Sequence, residues 1–244
     1  MRLDTFIAKS TQLNKRQVLQ ALQKNNIFVN GDLIIEPAFQ VHENNEITLN
    51  GKILTTRPFR YILMHKPADM ICSNIDEVYP SAFNLLTHEN EVVNDSVTSI
   101  NTNLNSDEFH IAGRLDADTT GLILITDDGR WTHNITLPNN GCKKVYRVGL
   151  SREFKSDLTA QFNQGIQLQG ETTLTLPAVV EIVNPKEVLL TISEGKFHQV
   201  KRMFAAVGNR VVSLHREQIG KITLDVEVGK WRYLTPLEID SFKS

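Results

Sequence analysis

The spacing of apolar and polar positions changes along this chain, and each change predicts an element. Residues 2 to 10 and 14 to 25 carry helical patterns. The second helix opens at Asn14 with Gln17 three residues on, a capping pair, and turns Val18, Leu19 and Leu22 inward. Ile27 to Val29 predicts a strand closed by the hairpin signal Asn30-Gly31, and Glu46 to Leu49 a further strand. Gly51 to Arg60, with its Arg57-Pro58 step, predicts an extended linker. Tyr61 to His65 resumes as a strand that Lys66-Pro67 ends, and residues 94 to 107 lack apolar periodicity and predict a long surface loop. From Gly113 to Gly129 the order is polar turn, apolar run (Leu122 to Ile125) and polar turn, with a strand before it from Phe109. A short helix Trp131 to Thr136 led by Asp128 follows, then a strand Lys143 to Leu150 and a helix over residues 152 to 164 stopped by Gly165. Ala178 to Val183 and Val188 to Ile192 predict two strands joined by Asn184-Pro185-Lys186.

In SEGKFHQVKRMFAAVGNRV, Val200, Met203, Phe204 and Val207 fall at i, i+3, i+4 and i+7, which makes one helix with one buried stripe. At about 100° per residue Lys201 lies at the edge of that stripe, able to lean into a cleft, while His198 and Arg202 lie opposite its centre and point outward. Strands dominate, with few helices, so the expected fold class is α+β: a small N-terminal domain (residues 1–57) and a larger one (58–244) with a mixed, mostly antiparallel sheet and flanking helices.

Composition narrows the function classes. With 41% hydrophobic and 22% charged residues over 244, the chain has the balance of a globular protein, and no run of about 18 apolar residues predicts a membrane span. The opening MRLDTFIAKS places charges where a signal peptide needs its apolar centre, so the expected location is the cytoplasm. Cys72 and Cys142 stand apart from each other and from zinc-ligand spacings, and are expected as reduced, buried thiols with no metal site. A net charge of −2 is a weak signature for a nucleic-acid binder, but its distribution is uneven. Residues 71 to 110 contain no Lys or Arg and carry Asp76, Glu77, Glu89, Glu91, Asp95, Asp107 and Glu108. Arg2, Lys9, Lys15, Arg16 and Lys24 gather on the N-terminal helices and are candidates for phosphate contacts. The acidic segment 74–108 is expected to project away from that basic surface. No apolar interface stripe stands out, so a monomer is expected.

The stretch GRLDADTTGLILITDDG concentrates the candidate chemistry. It puts four carboxylates, Asp116, Asp118, Asp127 and Asp128, within thirteen residues, and Gly113 and Gly121 bracket the loop that holds the first two. Such carboxylates fold a turn through Asx hydrogen bonds, hold Mg²⁺ for phosphotransfer, or act as a nucleophile. The residues alone leave these three open.

Taken with KKVYRV and EGKFHQVKRMF, this stretch resembles the motifs of the bacterial pseudouridine synthases that carry an S4 domain. The N-terminal RLDTFIAKS, NKRQVLQALQKNNIFVNG and EITLN resemble the S4 RNA-binding domain itself. HREQIGKITLD and TLPAVVEIV bring the chain nearest to members acting on small-subunit (16S) ribosomal RNA. The resemblance implies isomerisation of a uridine in ribosomal RNA, free or within a partly assembled small subunit, with no cofactor and no metal. It carries the catalytic aspartate onto Asp116, an aromatic ring for the uracil onto Tyr146, and onto Lys201 a cation that balances the charge of Asp116 and fixes its orientation. Arg114 and Arg202 join the RNA-contact candidates. Asp69 stands where the family has a glycine, and segment 74–108 is longer and more acidic than the family pattern. The alternatives are a large-subunit (23S) rRNA synthase and a non-catalytic ribosome-assembly factor.

Overall fold

The computed structural model describes all residues except 12, 25, 43, 94–103, 105, 243 and 244, so most of the loop expected over 94 to 107 lies outside the described residues. The chain divides into two compact units, Met1–Phe59 and Arg60–Ser244.

In the first unit, α1 (Leu3–Ser10) and α2 (Lys15–Gln23) are followed by β1 (Ile27–Val29), β2 (Asp32–Leu33), β3 (Ile47–Leu49) and β4 (Lys52–Ile53). The strands form one antiparallel sheet in the order β2-β1-β3-β4. Asn14 caps α2 through the box expected with Gln17. Val18 and Leu22 enter the core, but Leu19 is exposed, because the i, i+4 pair sets the centre of the buried stripe and Leu19 lies off it. Asn30-Gly31 turns with both residues at positive φ, and so does Asn50-Gly51. That second turn makes β4 out of residues expected to be linker.

The second unit begins with β5 (Tyr61–Lys66), β6 (His110–Ile111) and β7 (Thr120–Thr126), then α3 (Gly129–Thr136), β8 (Lys144–Leu150) and α4 (Leu158–Gln164). It ends with β9 (Val179–Asn184), β10 (Glu187–Ile192), α5 (Gln199–Ala206), β11 (Val211–Ile219), β12 (Ile222–Thr223), β13 (Trp231–Tyr233) and α6 (Pro236–Asp240). One nine-stranded sheet runs β13-β5-β7-β11-β8-β10-β9, with β12 on β11 and β6 on β7. Its pairs are antiparallel apart from β7 with β11, which fits the mostly antiparallel expectation.

The unbroken apolar run of β7 has a physical cause: both its faces are covered. Ile123 and Ile125 enter a core with Phe162, Met203 and Phe204 from α4 and α5, while Leu122 and Leu124 enter another with Trp131 and Ile135 from α3. By contrast β8 alternates, burying Tyr146, Val148 and Leu150 on the first core only. The helix expected over 152–164 is shorter, because Phe154 drops into the core and its N–H donates to the Pro185 carbonyl at 2.7 Å, leaving 151–157 as turns. Arg60, expected at the end of a linker, is buried and donates to both carboxylate oxygens of Asp127 (2.9 and 3.1 Å).

Candidate active site

Between β6 and β7 the chain makes a tight loop, 112–119, and buried groups hold it from behind. Lys66, fully buried at the end of β5, donates from Nζ to the carbonyls of Pro67, Ala117 and Thr119 at 2.8, 3.1 and 2.8 Å. Burial pushes its ammonium below the usual lysine range, while Cys72, Asp118, Asp116 and Asp69 pull the other way. Arg216 of β11, 2% exposed, donates to the carbonyls of Gly113 (2.6 Å) and Leu122 (2.8 Å). The Leu115 N–H donates to the half-buried Cys72 thiol at 3.3 Å, and the Thr119 N–H returns to the Asp116 carbonyl at 3.1 Å. Asp69 adopts the left-handed conformation (φ 60) that glycine most readily supplies, and its N–H donates to the Ala117 carbonyl at 2.9 Å. Asp69 thus braces this same loop through its backbone.

Facing the loop is the first turn of α5. Lys201 Nζ lies 3.1 Å from Asp116 Oδ2 and 2.7 and 2.9 Å from the two Asp118 oxygens. Burial lowers the Lys201 ammonium, but the hydrogen bonds it donates to Asp118 and Asp116 outweigh that and hold the group above the usual lysine range. The bond from Lys201 holds the Asp118 carboxyl below its usual range. His198, expected to point outward, instead sets Nε2 3.4 Å from Asp116 Oδ1, because it opens the helix in a left-handed conformation (φ 48, ψ 34) to which no helical wheel applies. Gln199 fixes this turn from beneath: it is buried, accepts from the Lys196 N–H at 2.8 Å and donates to Glu194 at 2.8 Å.

The loop and the helix turn enclose a cleft of about 90 Å³ with Tyr146 in its wall. Tyr146 is 8% exposed, and its hydroxyl lies 3.3 Å from Arg216 Nη1. Asp116, Tyr146 and Lys201, from three separate motifs, therefore line one cavity, with exposed Arg114 at its lip. The two remaining carboxylates do not join them. Asp127 is bound to Arg60, and Asp128 caps α3 and accepts from the Tyr61 hydroxyl at 2.8 Å. They lie at the far end of β7, a strand about 20 Å long at about 3.3 Å per residue. Among the described residues no group of His, Cys, Asp and Glu assembles as metal ligands.

The cationic candidates divide. Lys15, Arg16 and Lys24 are exposed on the first unit, and Arg2 is exposed with its guanidinium on Asp4 at 2.7 Å. Lys9 does not offer its ammonium to solvent: it is 8% exposed and lies 3.4 Å over the Phe59 ring, an arrangement residue counting along α1 could not reveal. Arg202 does not point into solvent either, because the loop at 169–171 reaches its helix face. It donates to the Gln169 carbonyl (2.8 Å), the Phe197 carbonyl (3.0 Å) and Glu171 (3.1 Å). The sequence analysis did not single out Arg216 or Lys66. Lys66 carried one visible signal, a cation closing a mostly apolar strand, whereas Arg216 stands among the polar residues of HREQ and carried none.

Residues 60–206 match the sequence profile of the family described as RNA pseudouridylate synthase. The chain is 44% identical over 243 residues to the ribosomal small subunit pseudouridine synthase A of Vibrio cholerae and 42% identical over 244 to that of Escherichia coli K12, covering 99% of each pair. A crystal structure of a pseudouridylate synthase superposes with a TM-score of 0.68 at 39% identity, covering 99% of both chains.

Proposed function

The chain belongs to the RNA pseudouridylate synthase family, and on that premise we propose that it converts one uridine of small-subunit (16S) ribosomal RNA to pseudouridine, with Asp116 as nucleophile. In that isomerisation the N1–C1′ bond breaks, the base turns, C5 bonds to C1′, and the proton leaving C5 is balanced by one gained at N1. No external group or electron is consumed. The observation that carries the reading is the Lys201 ammonium 3.1 Å from Asp116 in a cleft whose wall is Tyr146.

Asp116 labilises the glycosidic bond, and Lys201 and His198 fix its two oxygens so that they need not reorganise as the bond breaks. The Tyr146 ring stacks on the uracil, and its hydroxyl, steadied by Arg216, is placed to move the C5 proton. The uridine must leave its stack to reach Asp116, at a cost of roughly a few kcal/mol that is least for an unpaired nucleotide. The first unit acts as an S4-type RNA-binding domain: two helices on a small sheet, with exposed Lys15, Arg16 and Lys24 for phosphates. It raises the local concentration of the catalytic unit over its site. The protein works as a cytoplasmic monomer on the RNA or on an assembling small subunit.

Mapping pseudouridine in both ribosomal RNAs of cells lacking the protein tests this. One 16S pseudouridine is expected to vanish, to return with the wild-type chain, and to stay absent with Asp116→Asn, which still binds RNA. Loss from 23S RNA instead would favour a large-subunit synthase, and no loss from either would overturn the assignment.

A further inference from the structure

Phe197, between the cleft-lining Lys196 and His198, is 76% exposed, against 38% for Phe28 and 41% for Tyr79, and the apolar stripe of α5 begins only three residues later. One face of its ring is taken: it stacks on the His198 imidazole with centroids 3.8 Å apart and planes 19° from parallel. That same imidazole reaches Asp116 at 3.4 Å, so the stacked pair connects the carboxylate directly to the surface. The backbone that carries the pair is also anchored. Arg202 Nη1 donates to the Phe197 carbonyl at 3.0 Å while its other nitrogen is tied to Gln169 and Glu171. His198 meanwhile holds a left-handed conformation that β-carbon-bearing residues seldom adopt.

An aromatic ring in solvent on an anchored backbone, with its inner face stacked and its outer face open, suits a flat, unstacked partner. When a uridine is everted into the cleft, its neighbour in the strand loses one stacking surface and presents such a face. On the functional reading above, we propose that Phe197 is a positioning residue: its outer face stacks on the base of a nucleotide flanking the target uridine, with His198 as the second layer. Stacking of this kind tolerates any base, so it sets the register of the strand over Asp116 and leaves sequence choice to other contacts.

Tritium release from a small-subunit rRNA transcript labelled at C5 of uridine measures the effect, together with transcripts made abasic at each position flanking the mapped uridine. Phe197→Ala is expected to lower kcat/KM roughly 10- to 100-fold, with Phe197→Trp near wild type. Phe197→Leu, which keeps an apolar surface but no π face, is expected to fall with the alanine variant, and the urea midpoints of all three to stay at the wild-type value because the ring is exposed. One abasic transcript should slow the wild type and leave Phe197→Ala no slower. Losses that simply add for both abasic positions, or a leucine variant as active as wild type, would overturn the platform alone. A wild-type chain inert on this RNA both free and assembled with small-subunit proteins would overturn the functional reading and the platform with it.

Discussion

At the scale of single residues, Lys201 couples Asp116 to Asp118, and its role can be separated from folding. Asp118 is held low by Lys201, so its share of the pair is present above the ordinary carboxylate value and is lost as pH falls through the lowered folded value. Lys201 is held high, so its share is present below the ordinary lysine value and is lost as pH rises through the raised folded value. The pair therefore spans roughly pH 4 to 10. Lys201→Met should cut the single-turnover rate roughly 10- to 100-fold, the worth of one or two charge-assisted bonds, evenly across that window. A loss confined to one limb of the profile would contradict it. The urea midpoint should hardly move, because the Asp118 side chain is 70% exposed and solvent screens the pair.

At the scale of elements, the β7–β11 crossing carries the site, because Gly121 pairs with Arg216, the residue that holds the loop from behind. A β-carbon at Gly121 would lie 2.3 Å from the Arg216 carbonyl oxygen, and its φ of 111° is one that residues with side chains rarely adopt. Gly121→Ala should therefore cost about 3 kcal/mol or more in urea unfolding, whereas Gly129→Ala, with open space at the start of α3, should stay within about 1 kcal/mol. Equal midpoints for the two variants would refute this account of the crossing. The sequence marked Gly121 as a turn glycine; the pressure on it comes instead from a strand almost a hundred residues away. The α5 stripe was legible because its buried residues are local and periodic. The inward swing of His198 was not, because it depends on a backbone conformation that precedes the helix.

At the scale of the whole molecule, charge is divided between the units more than its sum suggests. If Lys15 and Arg16 of the first unit bind phosphate, the double variant Lys15→Glu, Arg16→Glu should weaken binding to small-subunit rRNA and reduce the slope of log K against log salt by about 2. Turnover at saturating RNA should be unchanged, since neither residue lines the cleft. An unaltered salt slope would remove these cations from the interface. What the sequence determined by itself was local: capping by Asn14, strand alternation, the stripe of α5, and the hairpin turn at Asn30-Gly31. Each depends on residues a few positions apart. Only the tertiary structure decided which cations face solvent, which carboxylates share the cleft, and that Lys66 and Arg216 are buried beneath the loop 112–119. Those outcomes follow from strand order and chain crossing, where contacts between distant residues set burial and charge pairing, and no local pattern encodes them.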